Sequence, residues 1–211
     1  MTILYIPADP NNRVIYGSSV DFGVARATAV GMEATSVASH TVGSTTGYYN
    51  FRSAFKFNTA IGVPLANILS AKLQVAITTQ HSAVDGGCYL EVFKANWSAY
   101  DPVDAGNMEN TYDTLIAGTA DASITGLDGA AVGTLCQSGA LDKTWLNLSG
   151  NTYYGLINNR DWNNVAPTGD DRWYIGARGN ADSALWPYLI IEHNYVGMSS
   201  TVVSDEVGVA I

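Results

Sequence analysis

The stretch Tyr49-Asn50-Phe51-Arg52-Ser53-Ala54-Phe55-Lys56-Phe57 constrains the fold of this chain more than any other. Tyr49, Phe51, Phe55 and Phe57 fall on one face of an extended strand, and Asn50, Arg52 and Lys56 fall on the other, which is the two-residue period of a half-buried strand. After a break containing Pro64, Ser70 to Ile77 repeats the pattern with Leu73, Val75 and Ile77 opposed to Lys72 and Gln74. A face carrying that many aromatics needs a second apolar layer to cover it. The pair therefore predicts a sandwich rather than a lone sheet.

The rest of the chain reads as short strands separated by turn signals. Strands are expected at Ile3 to Ile6, Arg13 to Tyr16, Val20 to Arg26, Cys88 to Phe93, Ala130 to Leu135, Lys143 to Leu148, Tyr153 to Asn158, Arg172 to Ala177 and Trp186 to His193. Asp9-Pro10-Asn11-Asn12 and Asp85-Gly86-Gly87 are turn clusters. The Cys88 to Phe93 segment is apolar on both faces and reads as a central strand. Residues 27–47, rich in Ala, Thr, Ser and Gly, have weak periodicity and stay unassigned. Residues 96–127 read as a long loop, which in a compact domain is functional or mobile. The expected fold is all-β, a two-sheet antiparallel β-sandwich of jelly-roll type with long loops, forming one domain over residues 1–196. Residues 197–211 read as a tail whose Val202, Val203, Val207, Val209 and Ile211 suit an added strand or contact with a neighbouring subunit.

Charge narrows the partners. With 10 Lys+Arg against 19 Asp+Glu and a net charge of -9, the chain lacks the cations that neutralise phosphates, so neither nucleic acid nor an anionic membrane surface is an expected partner. No stretch approaches the about 18 apolar residues of a membrane span. The first nine residues have no basic region ahead of a long apolar run, so they do not read as a signal peptide, and synthesis in the host cytoplasm is expected. Cys88 and Cys136 sit in no metal-ligand spacing and read as two thiols.

The order of these segments resembles the DNRLRE-type β-sandwich modules, a jelly-roll group similar to certain carbohydrate-binding modules and found in surface and phage structural proteins. Its carriers are Tyr16-Gly17-Ser18-Ser19, Phe51 to Phe57, Ile68-Leu69-Ser70-Ala71-Lys72-Leu73, Leu90-Glu91-Val92-Phe93 leading to Trp97-Ser98, Tyr154-Gly155-Leu156-Ile157, and Pro187-Tyr188-Leu189-Ile190-Ile191. Two departures stand out. Asn110-Thr111-Tyr112-Asp113 replaces the family's second Trp-Asn motif, and Leu146 to Asn151 runs almost directly into the Gly-Leu strand.

No GxSxG elbow, HExxH helix, P-loop or GxGxxG fingerprint is present, and His40, His81 and His193 are isolated, so no catalytic residue is assigned. For Trp97, Tyr100, Asn159, Trp162 and Asn163 the functional reading is a sugar site, with rings stacking on pyranose CH faces and amides binding hydroxyls. The plainer reading makes the rings loop anchors, and Trp173 reads as core. Asp170 and Asp171 are the candidate calcium ligands, as loop carboxylates supply the oxygens this ion takes; otherwise no cofactor is expected. The resulting expectation is a non-enzymatic virion protein, a jelly-roll head-decoration or cement protein of a tailed phage. Its partners would be the major capsid protein and further copies of itself, as a trimer by analogy. The alternative is a carbohydrate-binding module or adhesin domain that recognises a surface polysaccharide.

Overall fold

The computed structural model of the chain describes residues 1–34 and 37–195. Its first half contains β1 (Thr2–Pro7), β2 (Arg13–Ser18), α1 (Phe22–Ala27), β3 (Gly31–Met32), β4 (Ser39–Ser44), β5 (Tyr49–Asn58), β6 (Ile68–Thr79) and β7 (Leu90–Lys94). Its second half contains α2 (Met108–Ala117), β8 (Thr119–Ile124), β9 (Leu135–Gln137), β10 (Asn151–Asn158), α3 (Asn159–Trp162), β11 (Asp171–Gly176) and β12 (Tyr188–His193). The candidate tail residues Val202, Val203, Val207, Val209 and Ile211 lie outside the described residues. No helix among the described residues is long and apolar enough to cross a membrane.

The strands form one antiparallel path, β1-β12-β6-β11-β4-β5-β10-β7-β8, with β2 on the other side of β5, β3 on β2 and β9 on β6. β6 joins the two layers. Its first part, Ile68 to Gln74, pairs with β12, while Ile77 and Thr79 pair with β11. The path curls until β8 approaches β9, because Ile124 at the end of β8 bridges Ser138 just after β9 and Gly139 N donates to Ser123 O at 3.1 Å. The fold is thus the expected all-β antiparallel sandwich of jelly-roll type. Between the layers lie Phe55, Phe57, Leu73, Val75, Ile77, Leu90, Val92, Trp173, Ile175, Leu189 and Ile191.

The aromatic strand departs from a half-buried strand in one respect. Asn50, Arg52 and Ala54 are fully buried and Lys56 is nearly so, while Tyr49 is exposed and Phe51 half-buried. Phe51 instead packs against the ring of Tyr16 at 5.5 Å. A third layer covers the face expected to meet solvent: α2 and its flanks close a second core of Ile15, Ala54, Phe93, Trp97, Tyr112, Leu115 and Ile157.

Two helices occupy segments read differently from sequence. The expected strand at 20–26 is α1, because Asp21 caps it by accepting from Val24 N at 3.1 Å and Phe22 and Ala25, three apart, are its buried pair. Gly17 seats this helix, since a Cβ there would lie 1.8 Å from Ala25 O. Within the expected loop at 96–127, α2 buries Thr111, Tyr112 and Leu115, a stripe with a single aliphatic residue and hence little hydrophobic period. The open segment 27–47 supplies β3 and β4. Gly43 has φ +136 and approaches β11 so closely that a Cβ would meet Asp171 O at 2.3 Å. The strands expected at 130–135 and 143–148 shrink to β9 and a 3-10 turn at Lys143–Trp145, where Asp142 accepts from Thr144 N at 3.0 Å.

Candidate functional site

Arg52 organises the helical layer. Its Nε and Nη2 donate to Asp161 Oδ2 and Oδ1 at 2.6 and 2.9 Å, Nη1 donates to Tyr112 O at 3.0 Å, and Nη2 also donates to Arg26 O at 2.8 Å. The guanidinium lies 3.6 Å from the centre of the Tyr112 ring. One side chain thereby holds α1, α2 and α3 on β5. Burial alone would lower its pKa, but Asp161 more than compensates and the net shift is upward. Burial pushes the Tyr112 hydroxyl up, and that hydroxyl donates to Ala25 O at 3.0 Å.

This packing decides what the sequence-derived candidates can do. Trp97 is fully buried, with Nε1 donating to Tyr154 O at 3.4 Å and its ring edge-on to Tyr153 at 4.8 Å, so it presents no face to a ligand. Tyr100 is half-buried against the second core. Asn159 closes a loop, accepting from Tyr89 N at 3.2 Å and donating to Gly87 O at 3.1 Å, and Asn163 donates to Asn159 O at 2.8 Å. Trp162 is exposed at one side and edge-on to Phe93 at 5.5 Å on the other. These five residues belong to two separate places in the fold: Trp97 precedes and Tyr100 ends the 3-10 turn at Ser98–Tyr100, while Asn159 and Trp162 begin and end α3 and Asn163 follows it.

Asp170 and Asp171 do not converge. Asp170 accepts from Arg172 Nε at 3.0 Å and stands 3.8 Å from His81 Nε2, whereas Asp171 is buried at the start of β11 and accepts from Asp85 N at 2.9 Å. Asp85 in turn takes the Thr168 hydroxyl and Thr168 N, which hold its pKa down at about 2. Asp171 is pushed up by burial, and its Oδ2 has no hydrogen-bond partner among the described residues. Cys88 beside them is pushed up to about 11 by burial, and both cysteines are free thiols. Among the described residues no group of three or more His, Cys, Asp or Glu side chains is placed to share a metal ion. The 80–88 and 158–171 loops are clasped to one another by this network.

An open concave surface lies elsewhere, around Trp145. Two shallow clefts of about 450 and 350 Å³ adjoin one another, and Asn96 and Trp145 line both. The first cleft runs past Lys94, Thr114 and Thr119, and the second past Ser98, Asn147, Asn151 and Tyr153. Trp145 is fixed at the ridge because its Nε1 donates to Tyr153 O at 2.9 Å and its neighbour Lys143 donates to Ile68 O at 2.7 Å. Asn96 and Asn147 use Oδ1 to accept from Ser98 N and Ser149 N, at 3.2 and 3.3 Å. Their Nδ2 donors make no hydrogen bond among the described residues.

The electrostatics of this surface are nearly neutral. Lys94, the cation of the first cleft, pairs with Asp142 at 3.0 Å. The Thr144 hydroxyl and Lys94 hold Asp142 down at about 2, while Asp121, which accepts from Asp142 N, is raised by burial. The wall thus offers amides, hydroxyls and the half-buried Trp145 ring, which also packs against the main core, with Lys94 paired to Asp142. That combination suits an uncharged polyhydroxylated ligand, whose CH faces stack on an aromatic ring while its hydroxyls take amide hydrogen bonds. Sequence reasoning placed Trp145 in a strand. The signal for the turn was Asp142 two residues ahead of Thr144, a capping spacing that ends an extended run.

No protein-family model matches the chain, and no curated protein matches it.

Proposed function

We propose that the chain works by binding carbohydrate, as a non-enzymatic recognition module of the β-sandwich type. The observation that carries this reading is the Trp145 saddle, an immobilised indole between two open clefts walled by Asn96, Asn147, Asn151, Thr114 and Thr119. The resemblance to modules similar to carbohydrate-binding domains supports the same class. A glycan array followed by titration calorimetry on the strongest ligand tests it. Trp145→Ala is expected to weaken binding at least about tenfold, the 1.4 kcal/mol or more that an aromatic anchor contributes. Trp162→Ala leaves affinity unchanged. Equal affinity of wild type and Trp145→Ala would refute the assignment.

A second reading, a jelly-roll head-decoration or cement protein of a tailed-phage virion, is favoured by a different observation. The strand path ends on β1, whose outward Ile3 and Tyr5 are 41% and 57% exposed, a surface suited to packing on another subunit. Mass spectrometry of purified virions decides it, and absence of the chain from particles removes this reading.

A further inference from the structure

We propose that the free edge of β1 receives residues 207–211 of a second copy of this chain as an added antiparallel strand. The inference is independent of the carbohydrate reading.

The acceptor is an unprotected edge. β1 is the terminal strand of the path and pairs through six consecutive residues with β12, from Thr2 with His193 to Pro7 with Tyr188. No backbone group of Thr2 to Pro7 has a partner on the opposite side among the described residues. Edge strands are commonly guarded by lysine, proline, a bulge or an inward charge. β1 has only Pro7, at its last position: its ladder is unbroken and its sequence, Thr-Ile-Leu-Tyr-Ile-Pro, carries no charge. Its two faces are also only partly covered. Leu4 and Ile6 pack on the main core yet remain half-buried, and Ile3 and Tyr5 are exposed on the outer face.

The donor is written in the tail sequence. Val207-Gly208-Val209-Ala210-Ile211 alternates large apolar residues with the two smallest ones. Laid antiparallel with Val209 opposite Leu4, it sets Val207 beside Ile6 and Ile211 beside Thr2 on the core side, where Leu4 and Ile6 lack cover. Gly208 and Ala210 then fall beside Tyr5 and Ile3 on the outer face, where small residues leave room for the Tyr5 ring, itself edge-on to Tyr188 at 6.2 Å. A shift by one residue would exchange the faces and lose both matches.

Chain direction selects a second copy over the chain's own tail. β12 ends beside Thr2, so a segment continuing from it along β1 runs parallel to β1, in a fold whose strand pairs are antiparallel. To pair antiparallel with its own β1, the chain must first carry residues 196–206 along the whole strand and turn back, ordering a long linker. A neighbouring copy approaches from either end. Donor and acceptor are different surfaces, so the contact is heterologous and gives a ring where the rotation closes and a filament where it does not.

Light scattering on full-length variants tests this. The wild-type chain is expected to assemble, and Ile3→Lys/Tyr5→Lys and Val207→Asp/Val209→Asp are each expected to be monomeric with unchanged circular dichroism and melting. The first variant keeps a donor and the second keeps an acceptor, so mixing them gives a one-to-one heterodimer. A monomeric wild-type chain, assembly that survives either double substitution, or no heterodimer on mixing overturns the proposal. So does a monomeric wild type with β1 amides protected from exchange, which means the chain's own tail fills the edge. Glycan binding measured on the monomeric variants reports separately on the Trp145 site.

Discussion

Replacing Arg52 by Met is the sharpest test of the way the helical layer is held. The side chains of Arg52 and Asp161 are 0% and 2% exposed, so the substitution leaves a carboxylate buried with its paired cation gone. Arg26 Nε, 3.4 Å from Asp161 Oδ1, is a partial substitute. Removing one member of a buried pair costs about 3–5 kcal/mol, chiefly the desolvation of the charge left behind. The carbonyls of Tyr112 and Arg26 also lose a donor, at about 1 kcal/mol each, although these costs overlap with the first. Against a typical total of about 5–15 kcal/mol, Arg52→Met should lose about 4 kcal/mol in equilibrium urea unfolding, as a lower midpoint at unchanged slope. Asp161→Asn alone strands the guanidinium and is also costly. The double variant should be little worse than either single one, giving a coupling energy of about 2 kcal/mol or more. A loss below about 1 kcal/mol for Arg52→Met, or simple additivity, would refute the role of this pair as the clamp of α1, α2 and α3.

Other consequences follow from single contacts. Asp171 is raised by burial, so the folded chain holds that proton to higher pH than the unfolded chain, and stability falls as pH rises from about 4 through the raised value. Asp171→Asn should flatten this limb and raise the neutral-pH urea midpoint. Asp85 and Asp142, both held at about 2, act in the opposite sense: their contribution is present above about 4 and is lost as pH falls toward 2. Gly17→Ala places a Cβ 1.8 Å from Ala25 O, so it should displace α1 and lower the melting temperature, whereas Gly86→Ala, with open space around it, should not. Burial raises both thiols, Cys88 to about 11, so a disulfide reagent at neutral pH should label them slowly until denaturant is added. Lys143→Ala removes the bond that fixes the Trp145 turn to Ile68 O and should weaken glycan binding several-fold with little loss of stability, because the ring then has to be ordered on binding.

The frame of this fold is legible in the sequence wherever a strand alternates with aliphatic or aromatic residues against polar ones. β6, β10, β11 and β12 lie within a few residues of their expected bounds for that reason. Legibility fails where polar residues do the burying. Arg52, Asn50 and Lys56 have the spacing of a solvated face, and local periodicity carries no sign that Asp161, Ser44 and Asp101 supply their partners. Asp161 and Asp101 come from remote segments and Ser44 from the neighbouring strand β4, so the alternation within β5 cannot contain them. α1 and α2 were obscured for the related reason that a helix resting on a polar sheet face needs few aliphatics: Phe22 and Ala25 in one case, Thr111, Tyr112 and Leu115 in the other.

The same logic reorders the tryptophans. An indole whose neighbours in sequence are loop residues reads as exposed, yet Trp97 is drawn under α2 because the outer face of β10 and β7 must be covered, and the ring is the largest group able to do it. Trp145 reads as a strand residue, yet Asp142 turns the chain before a strand can form, leaving the ring at the rim where the sheet, the end of α2 and the start of β10 meet. Burial of the first ring and placement of the second are linked. Trp97 packs edge-on to Tyr153, and the carbonyl of Tyr153 accepts the indole proton of Trp145. The buried tryptophan therefore sets the backbone that orients the half-buried Trp145 ring, which lines both clefts.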